Sequence, residues 1–160
     1  MKNLLKNIII KLLYILISIY LIIFIPSIWG EKPLVILSGS MEPILKVGGI
    51  LYYKEENIND FNEGDVLVYQ LNDHIISHRI VKVLDDSFIT KGDNNKSIDT
   101  YEVLNYQILG KGTNWSIPYI GYYADFIYNH KYLLVIAAGL IFMDILYDNK
   151  KEKMKNEEVN

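Results

Sequence analysis

Two long apolar runs bracket a middle in which hydrophobic and polar positions alternate over short stretches. The first, Leu12 to Trp29, has the length a bilayer core demands, and Ile8 to Ile10 extend it where Lys11 snorkels toward the headgroups. Pro26-Ser27-Ile28-Trp29-Gly30 offers no small-x-small cleavage pattern, so an uncleaved anchor is expected rather than a signal peptide. The second run, Tyr132 to Tyr147, has 16 residues and contains Asp144. It is predicted to span as well; its shortness and its charge leave an interfacial or buried helix as the competing reading.

Between the runs no 3.6-residue apolar stripe is sustained, and β-branched and aromatic stretches are punctuated by Gly, Asn and Asp. This predicts strands over Leu34 to Leu37, Ile50 to Lys54, Asp65 to Gln70, His74 to Leu84, Ser87 to Lys91 and Tyr106 to Lys111. Leu71-Asn72-Asp73 and Asp85-Asp86 are predicted hairpin turns, since Asn and Asp tolerate tight-turn geometry; Gly48-Gly49 and Glu63-Gly64-Asp65 mark further corners. The fold class is therefore mainly β, a compact Greek-key-like or barrel-like domain between two membrane helices. The expected organisation is a cytosolic N-terminus and anchor over 1–29, an extracytoplasmic β-rich domain over 30–131, a second transmembrane helix over 132–147 and a charged cytosolic tail over 148–160. That tail has little to bury and is expected to be disordered.

Charge sharpens this layout. Residues 30–128 hold 14 acidic against 8 basic side chains, whereas the two ends hold 8 basic against 5 acidic. The acidic middle argues against a nucleic-acid partner. Lys2, Lys6 and Lys11 precede the first run with no acidic residue among them, which places the N-terminus in the cytosol and the following domain outside the cell membrane. The lysines at 150, 151, 153 and 155 fit a return to the cytosol. With no cysteine in the chain, disulfides, thiolate metal sites and a cysteine nucleophile are excluded.

Just after the first run, Ser38-Gly39-Ser40-Met41-Glu42-Pro43 offers a serine hydroxyl near the membrane; only ten residues separate Trp29 from Ser40. A serine is a weak nucleophile without a base, so peptide hydrolysis there requires a partner. His78, inside a predicted strand, is the best placed of the three histidines; His74 sits at a turn edge and His130 precedes the second apolar run. A strand histidine with a structural role is the alternative. His74 and His78 do not make a metal clamp, because four residues of strand span about 13 Å. No metal or cofactor is expected. Asp93 or Asp99 could orient the imidazole, although Gly92-Asp93-Asn94-Asn95 also reads as an ordinary solvated turn. Ser38 and the Ser40 backbone N–H could face a developing oxyanion.

These residues resemble signal peptidase I, in the branch found in the endoplasmic reticulum, archaea and some bacteria. Val35 to Pro43 looks like the nucleophile box, Gly64 to Tyr69 like the next strand, Ser77-His78-Arg79-Ile80 like the base box, and Thr90 to Asn95 followed by Asp99 like the acid box. Ile117-Pro118-Tyr119-Ile120-Gly121 resembles the segment before a C-terminal anchor, while Gly48-Gly49 departs from the Gly-Asp expected at that corner. The resemblance implies Ser40 as nucleophile, His78 as general base, Asp99 as orienting acid and Asp93 as a supporting carboxylate. It implies preprotein signal peptides, cut after a small-x-small pattern, and the lipid bilayer as partners, and is silent on accessory subunits. An imidazole base of ordinary pKa, about 6.5, predicts activity that falls as pH drops through that range. Two other readings are a catalytically silent anchored β domain that binds secreted proteins, and a self-cleaving regulator, which would use a serine and a lysine and carry a DNA-binding domain.

Overall fold

Val66-Leu67-Val68-Tyr69 is an unbroken apolar run between two turn signals, a pattern that suits a strand covered on both faces. In the computed structural model, which describes residues 2–157, all four side chains are fully buried. This strand, β3 (Val66–Leu71), is central to a seven-stranded antiparallel sheet. The others are β1 (Lys32–Val35), β2 (Ile50–Lys54), β4 (His74–Val83), β5 (Ser87–Lys91), β6 (Glu102–Leu104) and β7 (Ile108–Gly112), in the order β1-β2-β7-β3-β4-β5-β6. The strands from β3 to β6 form a meander and β7 returns to pair with β3, a Greek-key-like path.

Alternate residues of β3 feed two cores. Val66 and Val68 pack with Ile36, Met41, Leu45 and Leu51. Leu67 packs with Phe61, Tyr69, Ile80, Phe88 and Val103. Asn72, at φ +53, closes the β3–β4 hairpin where Leu71 pairs with His74. Between Val68 and Tyr69 the register with β7 shifts; there Gly110, at φ +154, has no room for a side chain, since a Cβ would run into the Lys54 carbonyl.

The sequence expectations for β2 and β5 match the structure at both ends. β1 instead begins two residues earlier and includes Pro33, tolerated because β1 is an edge strand. β7 begins two residues later, because Asn105–Gln107 forms a 3-10 turn in which Gln107 accepts a hydrogen bond from the Leu104 N–H at 2.8 Å. β6 was not anticipated: three residues are too few to show an alternating pattern, yet Val103 is fully buried.

The sheet lies in one compact unit, residues 24–125; the two chain ends form another, and the boundary falls within α2 (Gly121–Asn129). Two segments are long and apolar enough to cross a membrane: Leu4–Trp29, which covers most of α1 (Lys2–Phe24) and runs five residues past it, and Tyr132–Lys151, which lies within α3 (Tyr132–Glu157). Beyond α1, a 3-10 segment, Ile25–Trp29, carries Pro26 in its first turn. Asp144, the charge that weighed against a second span, pairs with Lys6 at 2.6 Å, and the Lys6 ammonium lies 4.6 Å from the Tyr147 ring centre. The expectation of disorder from Asp148 is corrected: α3 continues to Glu157, while residues 158–160 lie outside the described residues. A helix already nucleated extends at little cost through Lys, Glu and Met.

Candidate active site

Ser40 stands in a short 3-10 turn, Gly39–Met41, within the loop joining β1 to β2. Met41, 1% exposed, anchors that turn in the Ile36/Leu45/Leu51 core. A second loop, after β5, grips it from another side. The Asn94 N–H donates to the Ser40 carbonyl at 2.8 Å, and Asn94 Nδ2 donates to the Gly39 carbonyl at 3.1 Å. The Asp93 N–H points at Met41 Sδ, 3.4 Å away.

The β3–β4 register settles which way the neighbouring side chains face. Leu67 pairs with His78 and Val66 with Arg79, so the imidazole shares the Leu67 face of the sheet and the guanidinium the Val66 face. Each finds a different aspartate from the same loop. His78 Nδ1 lies 2.7 Å from Asp99 Oδ2 and its Nε2 lies 3.1 Å from Ser40 Oγ. A carboxylate only accepts, so the imidazole proton sits on Nδ1 and Nε2 accepts the Ser40 O–H. The hydrogen-bonded pair is secluded, with the His78 and Asp99 side chains 10% and 9% exposed.

Asp93 faces Arg79 rather than the imidazole. Its two oxygens accept from Arg79 Nε at 2.7 Å and NH2 at 2.6 Å, a fork-to-fork pair. Arg79 NH1 donates to the Gly64 carbonyl at 2.7 Å and to Asn114 Oδ1 at 2.9 Å. The Asp93 hydrogen bonds raise the guanidinium pKa further above its already high value. Ser38 Oγ is 3.3 Å from Ser40 Oγ, and because Ser40 donates to His78, the Ser38 hydroxyl is the donor between them. His74 is exposed at the β4 start, and His130 stacks on Phe126 with its Nδ1 donating to the Phe126 carbonyl at 2.8 Å.

Sequence reasoning placed Thr90 and Tyr69 within boxes of the resemblance but gave them, and Tyr101, no role of their own. Thr90 Oγ1 donates to Asp99 Oδ2 at 2.6 Å, the Asp99 N–H donates to the Thr90 carbonyl at 2.9 Å, and the Tyr69 and Tyr101 hydroxyls line up behind. A polar side chain on the inward face of a strand was the available signal. Chemically, the arrangement gives a serine hydroxyl an adjacent proton acceptor whose other nitrogen is fixed by a carboxylate, as acyl transfer requires.

No protein-family model matches the chain. Its sequence is similar to the signal peptidase complex catalytic subunit sec11 of Neurospora crassa, 34% identical over 122 residues that cover 67% of this chain and 70% of the relative. It is likewise similar to the signal peptidase complex catalytic subunit SEC11 of Lachancea thermotolerans, 34% identical over 133 residues, 72% of this chain and 77% of the relative. Signal peptidase I W of Bacillus subtilis is 29% identical over 130 residues, 72% of this chain and 68% of the relative.

Proposed function

Because the chain belongs to the signal peptidase I family, serine endopeptidases that remove N-terminal signal peptides, we propose that Ser40, His78 and Asp99 carry out this hydrolysis as nucleophile, general base and orienting acid. The observation that supports the assignment is the continuous line from Ser40 Oγ through the His78 ring to Asp99 Oδ2, with gaps of 3.1 and 2.7 Å. In acylation, Ser40 Oγ attacks the scissile carbonyl carbon while its proton passes to His78 Nε2. The Ser38 hydroxyl and the Ser40 backbone N–H stabilise the oxyanion. His78 then protonates the leaving amine of the mature protein. In deacylation it takes a proton from water, which attacks the Ser40 ester, and the signal peptide leaves with a new carboxylate. Asp99 holds the imidazole tautomer throughout, and Asp93 supports the site through Arg79.

The substrates are secreted or membrane preproteins with small side chains at alternate positions before the cut. The catalytic domain lies outside the cytosol and both chain ends within it. The lysines flanking both apolar spans support this topology, and Lys6 beside Asp144 sets the start of α1 against the middle of α3. Single cysteines introduced at Lys96 and Lys150 test it, the chain having none of its own: a membrane-impermeant maleimide labels intact cells at 96 and spares 150, and the reverse pattern refutes the topology. For the chemistry, purified full-length protein in detergent is given a preprotein and compared with Ser40→Ala and His78→Ala. Cleavage falls to background in both; undiminished cleavage by either variant rules the mechanism out.

A further inference from the structure

Asp99 Oδ2 accepts two hydrogen bonds, one from His78 Nδ1 and one from Thr90 Oγ1, and the second leads away from the site into the core. The donor direction along that path is forced. Because the carboxylate only accepts, Thr90 spends its single proton on Asp99, so the Tyr69 hydroxyl, 3.4 Å from Thr90 Oγ1, donates to Thr90. Tyr69 is then left to accept from the Tyr101 hydroxyl at 3.2 Å. Thr90 and Tyr69 are fully buried and come from β5 and β3, while Tyr101 precedes β6. A chain of three hydroxyls, all oriented toward one carboxylate oxygen, costs conformational freedom that simple apolar packing at these positions would not.

Resting on the Ser40–His78–Asp99 assignment above, we infer that Thr90, backed by Tyr69 and Tyr101, is a positioning residue that holds the Asp99 carboxylate in place and moderates its pull on the imidazole proton. Burial drives the Tyr69 phenol pKa upward, so it remains a neutral donor at working pH. The titratable and charged groups around the imidazole are Asp99, Tyr69 and Tyr101, with Arg79, its cross-strand neighbour Lys91, and Asp93 on the other side of the strand. Of these, Asp99 alone bonds the ring, and Thr90 is its remaining side-chain donor among the described residues.

Thr90→Val removes the donor and keeps the shape. An Oδ2 relieved of that donor stabilises the imidazolium more strongly, so protonation of the base sets in at higher pH. In the preprotein assay, kcat in Thr90→Val falls about tenfold with KM within about twofold, and the acid limb of kcat/KM moves up by roughly half a pH unit. Thr90→Ser, which restores the hydroxyl, returns both to near wild type. Tyr69→Phe, which keeps Thr90 but deprives it of its own donor, moves the acid limb in the same direction by less and serves where Thr90→Val melts too low to assay. An unmoved acid limb with wild-type kcat in Thr90→Val, or a loss that Thr90→Ser fails to restore, overturns the inference; where Thr90→Val cannot be assayed, an unmoved limb in Tyr69→Phe does so. Ser40→Ala in the same assay separates the two failures: if it still cleaves, the underlying mechanism is wrong, and if it is inactive, only the role of Thr90 is.

Discussion

The tightest contact around the nucleophile is at Gly92, and it yields the sharpest quantitative prediction. A Cβ at this position would lie 2.6 Å from the Ser40 carbonyl oxygen and 2.8 Å from Asn95 Nδ2. The Asn95 amide is the end of a side chain and can swing aside. The Ser40 carbonyl cannot, because the Asn94 N–H holds it at 2.8 Å and buried Met41 fixes the turn behind it. Ordinary van der Waals contact begins near 3.4 Å, so Gly92→Ala forces the two loops about 0.8 Å apart. If that shift is taken up between Ser40 Oγ and His78 Nε2, the 3.1 Å hydrogen bond opens to about 3.9 Å and ceases to be one. Misplacement of about 1 Å at reacting groups costs roughly a hundredfold in rate. Gly92→Ala is therefore expected to lower kcat about a hundredfold with little change in KM, while the protein remains folded. Steady-state cleavage of a preprotein, beside a melting curve for each variant, checks this. If Gly92→Ala cleaves within threefold of wild type, or loses activity only in proportion to its unfolded fraction, the reasoning from close approach is refuted.

The two aspartates should separate by phenotype. Asp99→Asn leaves the imidazole without the acceptor that fixes its tautomer and lowers kcat by roughly ten-thousandfold, whereas Asp93→Asn leaves kcat within about tenfold and reduces stability by about 1–2 kcal/mol through the weakened Arg79 pair. Equal losses of kcat, or the larger one at Asp93, would contradict the division read from the sheet register. Leu67→Ala, which empties a fully buried position beside Phe61, Tyr69 and Ile80, is expected to cost about 3 kcal/mol in denaturant unfolding, and a loss below about 1 kcal/mol would mean the core collapses around the gap. Because burial raises the Tyr69 pKa, the unfolded chain loses that proton first, near pH 10. The stability this phenol contributes is thus present below about pH 10 and declines above it by up to about 1.4 kcal/mol per pH unit. Melting curves between pH 8 and 11 should therefore decline less steeply for Tyr69→Phe than for wild type, and parallel declines would speak against it.

Local pattern was enough for much of this protein, because the interactions that decide it are local. The length of the apolar runs, the turn at Asn72 and Asp73, and the strand around Val66 to Tyr69 depend on residues next to one another in the chain. So does the presence of a serine in a tight turn after an apolar segment and a histidine within a strand. Long-range pairing decided the rest. Apart from the family resemblance, Asp93 and Asp99 are chemically equivalent, six residues apart in one loop; what distinguishes them physically is that strand neighbours point to opposite faces. The register that sets Leu67 against His78 and Val66 against Arg79 sends the imidazole to one aspartate and the guanidinium to the other. The partner of Thr90 is undetermined for the same reason, since a threonine in a strand declares none until β5 is set beside β4 and the loop after it folds back. The sequence by itself thus determined which residues are available for chemistry and, through resemblance, which set to expect; the tertiary structure decided the contacts they make, because side-chain direction in a sheet is fixed by pairing between strands and not by the strand's own residues.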